Sequence, residues 1–134
     1  MPLYVSDIRN GDATGYTQEV VVVELANASE PISALRPVRW DGNEFAICHA
    51  DQFAELQEFV GLAKNAASAP GEQVTAHTFG DIEDGGWLWT PGELVYIDDM
   101  GNLSHTPGTH VLEVGRAWSP TKLFVNPESA IFVE

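Results

Sequence analysis

The chain has 134 residues, 44% of them apolar, and twenty carboxylates against six Lys or Arg give it a net charge of −14. That length and apolar content suffice for one packed domain without metals or disulfides. The charge argues against nucleic acid and anionic membranes as partners, since affinity for either comes from clustered Lys and Arg, and no basic residue occurs between Lys64 and Arg116.

Residues 1–18 are rich in Asp, Asn, Gly and Thr with scattered apolar residues, a composition that predicts an extended N-terminal arm ahead of a single β-rich domain over 19–134. An extended segment gains stability by adding a strand to a neighbouring sheet, and Leu3, Tyr4, Val5, Ile8 and Arg9 are the side chains expected to dock. The N-terminus lacks a basic start followed by an apolar core, so the chain is expected to be made and kept soluble in a cytoplasm. No apolar run approaches the length that spans a bilayer.

EVVVVELA (Glu19–Ala26) is dense in β-branched residues and predicts a central strand covered on both faces. PVRW (Pro37–Trp40), the turn Asp41-Gly42-Asn43 and EFAICHA (Glu44–Ala50) predict a hairpin. The single cysteine, Cys48, falls at an inward position of that hairpin and reads as a buried free thiol. DQFAELQEF (Asp51–Phe59) predicts one short helix, with Asp51 at its start and Phe53, Leu56 and Phe59 at three-residue spacing. QVTAHTF (Gln73–Phe79) alternates as a half-buried strand does, and Gly80 ends or bulges it. A second hairpin follows, with a strand at Leu94–Ile97, a turn at Asp98–Asn102 and a return strand from Leu103. The remaining VLEVGRAW, KLFV and AIFV segments read as short strands.

The two halves match as units. PVRW-DGN-EFAICH, then VGLA, a turn and QVTAHTFGDI corresponds to LVYI-DDMGN-LSH, then VGRA, a turn and KLFVNPESAIFV. The repeat covers roughly 33–83 and 90–134, with the helix as an insertion in the first copy. A mainly β fold is expected, a small β-barrel or sandwich built from two similar strand-turn-strand units. Gly61 and Gly115 would mark places where strands bend or backbones approach closely.

The stretch GELVYIDDMGNLSHTPGTHVLEVGRAWSPTKLFV, with its Gly-Asn turn and Val-Gly-x-Ala strand, resembles tailed-bacteriophage capsid decoration (cement) proteins and related head-fibre and tail-fibre β-modules. VGLAKNAASAPGEQVTAHTFGDI resembles the same type of module, so the likeness spans about residues 32–134. It implies a virion protein on the capsid exterior, assembled in the host bacterial cytoplasm, bound to the major capsid protein and self-associated, with a trimer favoured. The alternative it leaves open is a fibre, tail or baseplate module that binds a receptor or glycan.

Catalytic grammar is missing: there is no Gly-x-Ser-x-Gly elbow, phosphate-cradling loop or Cys-x-x-Cys pair, so no enzymatic activity and no cofactor are expected. His49, His77, His105 and His110 lack convincing ligand spacing, and Asp98–Asn102 lacks the distal Glu of a calcium loop, so no metal is expected. Trp40 and Trp118 are expected in the core. Trp87 and Trp89 after a Gly pair are expected at an interface or, if exposed, as a sugar-stacking platform. Arg36 and Arg39 are expected to offer cationic contacts to a shell.

Overall fold

The computed structural model describes residues 3–10 and 18–134, with side chains from residue 21 onward. The fold is mainly β with one short helix. Its strands are β1 (Leu3–Asn10), β2 (Gln18–Asn27), β3 (Pro37–Trp40), β4 (Phe45–Ile47), β5 (Phe59–Ala63), β6 (Gln73–Glu83), β7 (Leu94–Ile97), β8 (Leu103–Ser104), β9 (Glu113–Ala117) and β10 (Lys122–Val125); α1 (Phe53–Gln57) lies between β4 and β5. All strand pairs are antiparallel, and the main path runs β4-β3-β5-β6-β10-β9-β7-β8 in a curled sheet, with β2 on the other edge of β6 and β1 outside β2. Among the described residues no helix is long and apolar enough to cross a membrane.

That strand order reads the same from both ends. β4-β3-β5-β6 meets β10-β9-β7-β8 at the β6·β10 pair, and the registers coincide. Val38 faces Gly61 as Val95 faces Gly115, and each pairing slips by one residue at the next position. Trp40 faces Phe45 as Ile97 faces Leu103. Asp41 and Asp98 each hold the hairpin turn by accepting two backbone N–H groups at 2.7–2.9 Å, the Asx-turn chemistry that favours Asp at such positions. Gly61 and Gly115 fill one structural role. A Cβ on Gly61 would collide with the carbonyl of His77, and one on Gly115 with the carbonyl of Phe124.

The halves also share a turn before their first strand. Arg36 N–H donates to the Ser33 carbonyl at 3.3 Å and Glu93 N–H to that of Thr90 at 3.2 Å, while Leu35 and Gly92 donate to the equivalent carbonyls of Ala63 and Ala117. The third residue of each turn has a positive φ, 71° at Leu35 and 88° at Gly92. Pro91-Gly92 is the favoured chemistry for such a type II turn. Leu35 adopts the same conformation with a side chain.

Two apolar clusters fill the interior. One gathers Cys48, Leu56, Leu62, Val95, Ile97, Val114, Leu123 and Val125; the other gathers Ile32, Val38, Phe45, Ala63, Val74 and Ala76. Leu62 and Ala63 belong to different clusters, because successive residues of β5 point to opposite faces. Each fully buried Leu or Val contributes roughly 1.5–3 kcal/mol.

Several expectations are revised. Residues Leu3–Asn10 form β1, paired with β2 of the same chain from Leu3↔Glu24 to Asn10↔Gln18, so this part of the arm is a strand within the sheet. Residues 11–17 and the arm's side chains, those of Leu3, Tyr4, Val5, Ile8 and Arg9 included, lie outside the described residues. β2 alternates: Val21 and Val23 are buried while Val22 and Glu24 are half-buried. The strand that joins the halves is β6, which continues through Gly80 at φ 103° to pair with β10. The helix is shorter than Asp51–Phe59 and has no side-chain cap, with Gln52 rather than Asp51 at its start. It ends before Phe59 because Trp40 N–H draws the Glu58 carbonyl at 3.0 Å into the sheet.

Candidate functional site

Two surfaces place aromatic side chains where another molecule can meet them. The first is the outer face of β6, β9 and β10. Leu123 and Val125 point into the core, so Phe124 between them points out. Its ring meets Phe79 edge-on at 5.3 Å and Trp118 at 6.0 Å. Trp118 is 57% and Phe79 37% exposed. The Trp118 indole N–H donates to Asp81 Oδ1 at 2.8 Å, which fixes its orientation. A shallow recess of about 280 Å³ opens beside this cluster, bounded by Leu94, Arg116, Trp118 and Phe124. Trp118 is therefore a surface residue and not part of the core; the one-residue slip between β7 and β9 sets which side chains of that strand face inward. Trp40, half-buried, packs edge-on against Phe45 at 6.0 Å.

The second surface lies at the seam between the halves. A recess of about 280 Å³ is lined by Leu35 and Arg36 from the first copy, by Trp87 and Trp89 from the segment that leads into the second, and by Asn102 and Leu103 from the second. The two indoles lie 5.5 Å apart and tilted by 49°, and both pack against the first core cluster. Trp89 N–H donates to the Pro120 carbonyl at 2.9 Å and Trp87 N–H to that of Asp84 at 3.2 Å. His105 abuts Trp89 edge-on at 5.1 Å. Its ring is fixed too: Nδ1 donates to the Leu94 carbonyl at 2.8 Å, and Nε2 accepts the Thr90 N–H at 2.9 Å. The Trp89 indole Nε1 is buried with no acceptor among the described residues.

The seam unites three of the residues expected at an interface. Arg36 reaches across it, donating from Nε to the Gly101 carbonyl and from Nη2 to the Met100 carbonyl at 2.9 Å. Arg39 lies apart, donating to Glu58 Oε1 at 3.1 Å and lying 3.5 Å from Glu55 Oε1. Its charge is thus engaged beside α1.

The histidines are held within the chain. His49 Nδ1 contacts Glu55 Oε1 at 2.8 Å, His77 Nε2 donates to the Gly80 carbonyl at 2.8 Å, and His110 Nδ1 accepts the Val133 N–H at 3.0 Å beneath a stacked Phe132. Burial pushes His77 below the usual imidazole range, the Gly80 contact partly opposing it. Among the described residues no three or more His, Cys, Asp or Glu are grouped to hold a metal ion. The Asp99 carboxylate accepts the Thr109 N–H at 2.7 Å and hydroxyl at 2.6 Å, contacts that hold its carboxyl below the usual range. Burial, reinforced by the nearby Glu55 charge, pushes the Cys48 thiol up to about 12.

Phe79, Phe124 and Leu35 escaped the sequence reading. Outward parity in QVTAHTF and KLFV carried the signal for the two phenylalanines, and aligning Leu35 with Gly92 in the repeat would have marked the third. Comparison with protein-family models gives no match, and neither does comparison with curated proteins.

Proposed function

We propose that this chain is a non-enzymatic virion structural protein that decorates and stabilises a phage capsid by binding shell subunits and associating with itself. The observation that carries the reading is the exposed aromatic cluster of Phe79, Trp118 and Phe124 on the outer face of the doubled sheet. Rigid aromatic side chains at the surface are the anchors on which protein interfaces concentrate their affinity. An anchor held by Asp81 loses little side-chain freedom on docking. A subunit that binds only the assembled shell stabilises it by mass action, and modest contacts repeated over a symmetric particle add up. The resemblance to decoration proteins supplies the partner, the major capsid protein, and the trimer as the expected oligomer.

The test pairs light scattering with co-sedimentation against empty shells of the source phage, using the native chain and the Trp118→Ala/Phe124→Ala double variant. Saturable shell binding that the double variant loses by tenfold or more supports the reading. Native protein that leaves shells in the pellet alone defeats it. A second reading, a fibre, tail or baseplate module that binds a receptor or glycan, is favoured by the tryptophan-lined seam.

A further inference from the structure

We propose that the seam recess is a binding site for one uncharged pyranose ring of a glycan. The inference rests on the second reading above and names its ligand. Four features of the recess converge on that chemistry.

Its walls are apolar and aromatic. Trp87 and Trp89, 5.5 Å apart and tilted by 49°, line it together with Leu35 and Leu103, so a sugar ring would meet aromatic and aliphatic surface in one place. Its rim is polar and balanced: Asn102 brings an amide that both donates and accepts, and Arg36 brings a guanidinium already neutralised in part by the Met100 and Gly101 carbonyls. Hydroxyl groups, which also donate and accept, match that rim. Its size, about 280 Å³, lies just below the roughly 300–1,000 Å³ of sites for drug-sized ligands, which limits it to a small occupant. One ring fits, whereas an extended proline-rich peptide needs a longer groove of parallel aromatic ridges.

The recess is also preorganised, and the chain carries strain to build it. Trp89 is held by Pro120 and His105, and its buried indole N–H has no acceptor among the described residues, a state that buried donors rarely keep. Leu35 holds φ 71° where the equivalent turn uses glycine. A leucine in the left-handed region is uncommon, and such outliers cluster at binding sites. Here it places a side chain in the recess wall that glycine would leave out. The chain's charge of −14 disfavours acidic sugars through long-range repulsion, which leaves neutral ones.

The experiment titrates the full chain with neutral hexasaccharides of glucose, galactose, mannose and N-acetylglucosamine, following tryptophan fluorescence and heat. A proline-rich decapeptide and adhesion to intact host cells are measured in parallel. Saturable binding of at least one saccharide is expected, weakened tenfold or more in both Leu35→Gly and Trp87→Ala and unchanged in Trp118→Ala. Leu35→Gly is the decisive variant, because glycine suits the positive φ and leaves the turn intact. Binding of no saccharide, binding indifferent to both seam variants, or seam binding of the decapeptide alone each overturns the proposal. Cell adhesion without saccharide binding sinks this inference while the receptor reading stands; loss of both sinks the two together. Shell binding through Trp118 reports separately on the decoration reading.

Discussion

Replacing Gly115 with alanine tests the repeat at the point where sequence and packing meet. In an unobstructed strand position the change would stabilise by about 0.4–1 kcal/mol, because alanine restricts the unfolded chain. At Gly115 the new methyl group meets the carbonyl oxygen of Phe124, with the carbonyl carbon at 2.9 Å and the Cα of Val125 at 3.1 Å. These are backbone atoms of β10, and that strand is anchored by the fully buried Leu123 and Val125. β10 has no cheap way to retreat. Overpacking costs roughly 1–3 kcal/mol when side chains can give, and displacing a strand adds the loss of a ladder hydrogen bond worth about 1 kcal/mol. Set against the unfolded-chain gain, a net loss of about 1–3.5 kcal/mol is expected, a drop in Tm on the order of 10 °C for a chain of this size. Gly61→Ala should lose a similar amount, because its methyl group meets the His77 carbonyl in the same way. Gly85→Ala is the control, since nothing lies within 4 Å of its Cβ position. Urea unfolding of the three variants gives the comparison. If Gly115→Ala and Gly85→Ala agree within about 0.5 kcal/mol, the close approach is not what the glycine serves, and the repeat argument loses its steric basis.

Other perturbations follow from the same geometry. His77 has its pKa depressed below 6.5 by burial, so its contribution to stability is present above pH 6.5 and fades as pH falls below it, when the unfolded chain takes up the proton more readily. His77→Phe, which installs the residue found at the equivalent Phe124, should flatten the change in urea midpoint between pH 7 and pH 5. The Cys48 thiol, raised from 9.0 to about 12, contributes stability below pH 9 that is lost as pH rises toward 12. At neutral pH it should resist a thiol reagent until urea unfolds the chain, and Cys48→Ala should reduce the alkaline loss. Gly92→Leu, with open space around it but φ 88°, should cost about 1–2 kcal/mol in a thermal melt through backbone strain. Leu35→Gly should change stability by less than about 1 kcal/mol, because relief of the same strain is offset by lost burial and a freer unfolded chain.

The repeat was legible because its rules are local or steric. Val-Gly-x-Ala marks a backbone approach that excludes a side chain, and Asp at the head of each hairpin marks an Asx turn; both leave a residue type at a fixed spacing. The helix was legible in existence but not in length, since its end is set by a hydrogen bond from Trp40, eighteen residues upstream of Glu58. Trp118 was misplaced because inward parity in β9 depends on a slip against β7, and a slip of one residue turns the side chains that follow to the other face. The seam was illegible for a related reason. Arg36 and Gly101 are 65 positions apart, and no periodicity within either copy records a contact between copies.

A doubled fold makes its own control, because positions that serve the scaffold alone face the same demand twice. Those positions agree: Val38 with Val95, Gly61 with Gly115, Asp41 with Asp98. Differences between equivalent positions therefore carry information that neither residue holds by itself. At the turn before each first strand, Gly92 is replaced by Leu35 at a strained φ. Three residues earlier, Ile32, 1% exposed, stands opposite the half-buried Trp89. Leu35 belongs to the first copy and Trp89 to the segment leading into the second, yet they line one recess. Both departures from the repeat therefore line the recess proposed to select a ligand, while Phe79, Phe124 and Trp118 present a broad face suited to a larger partner.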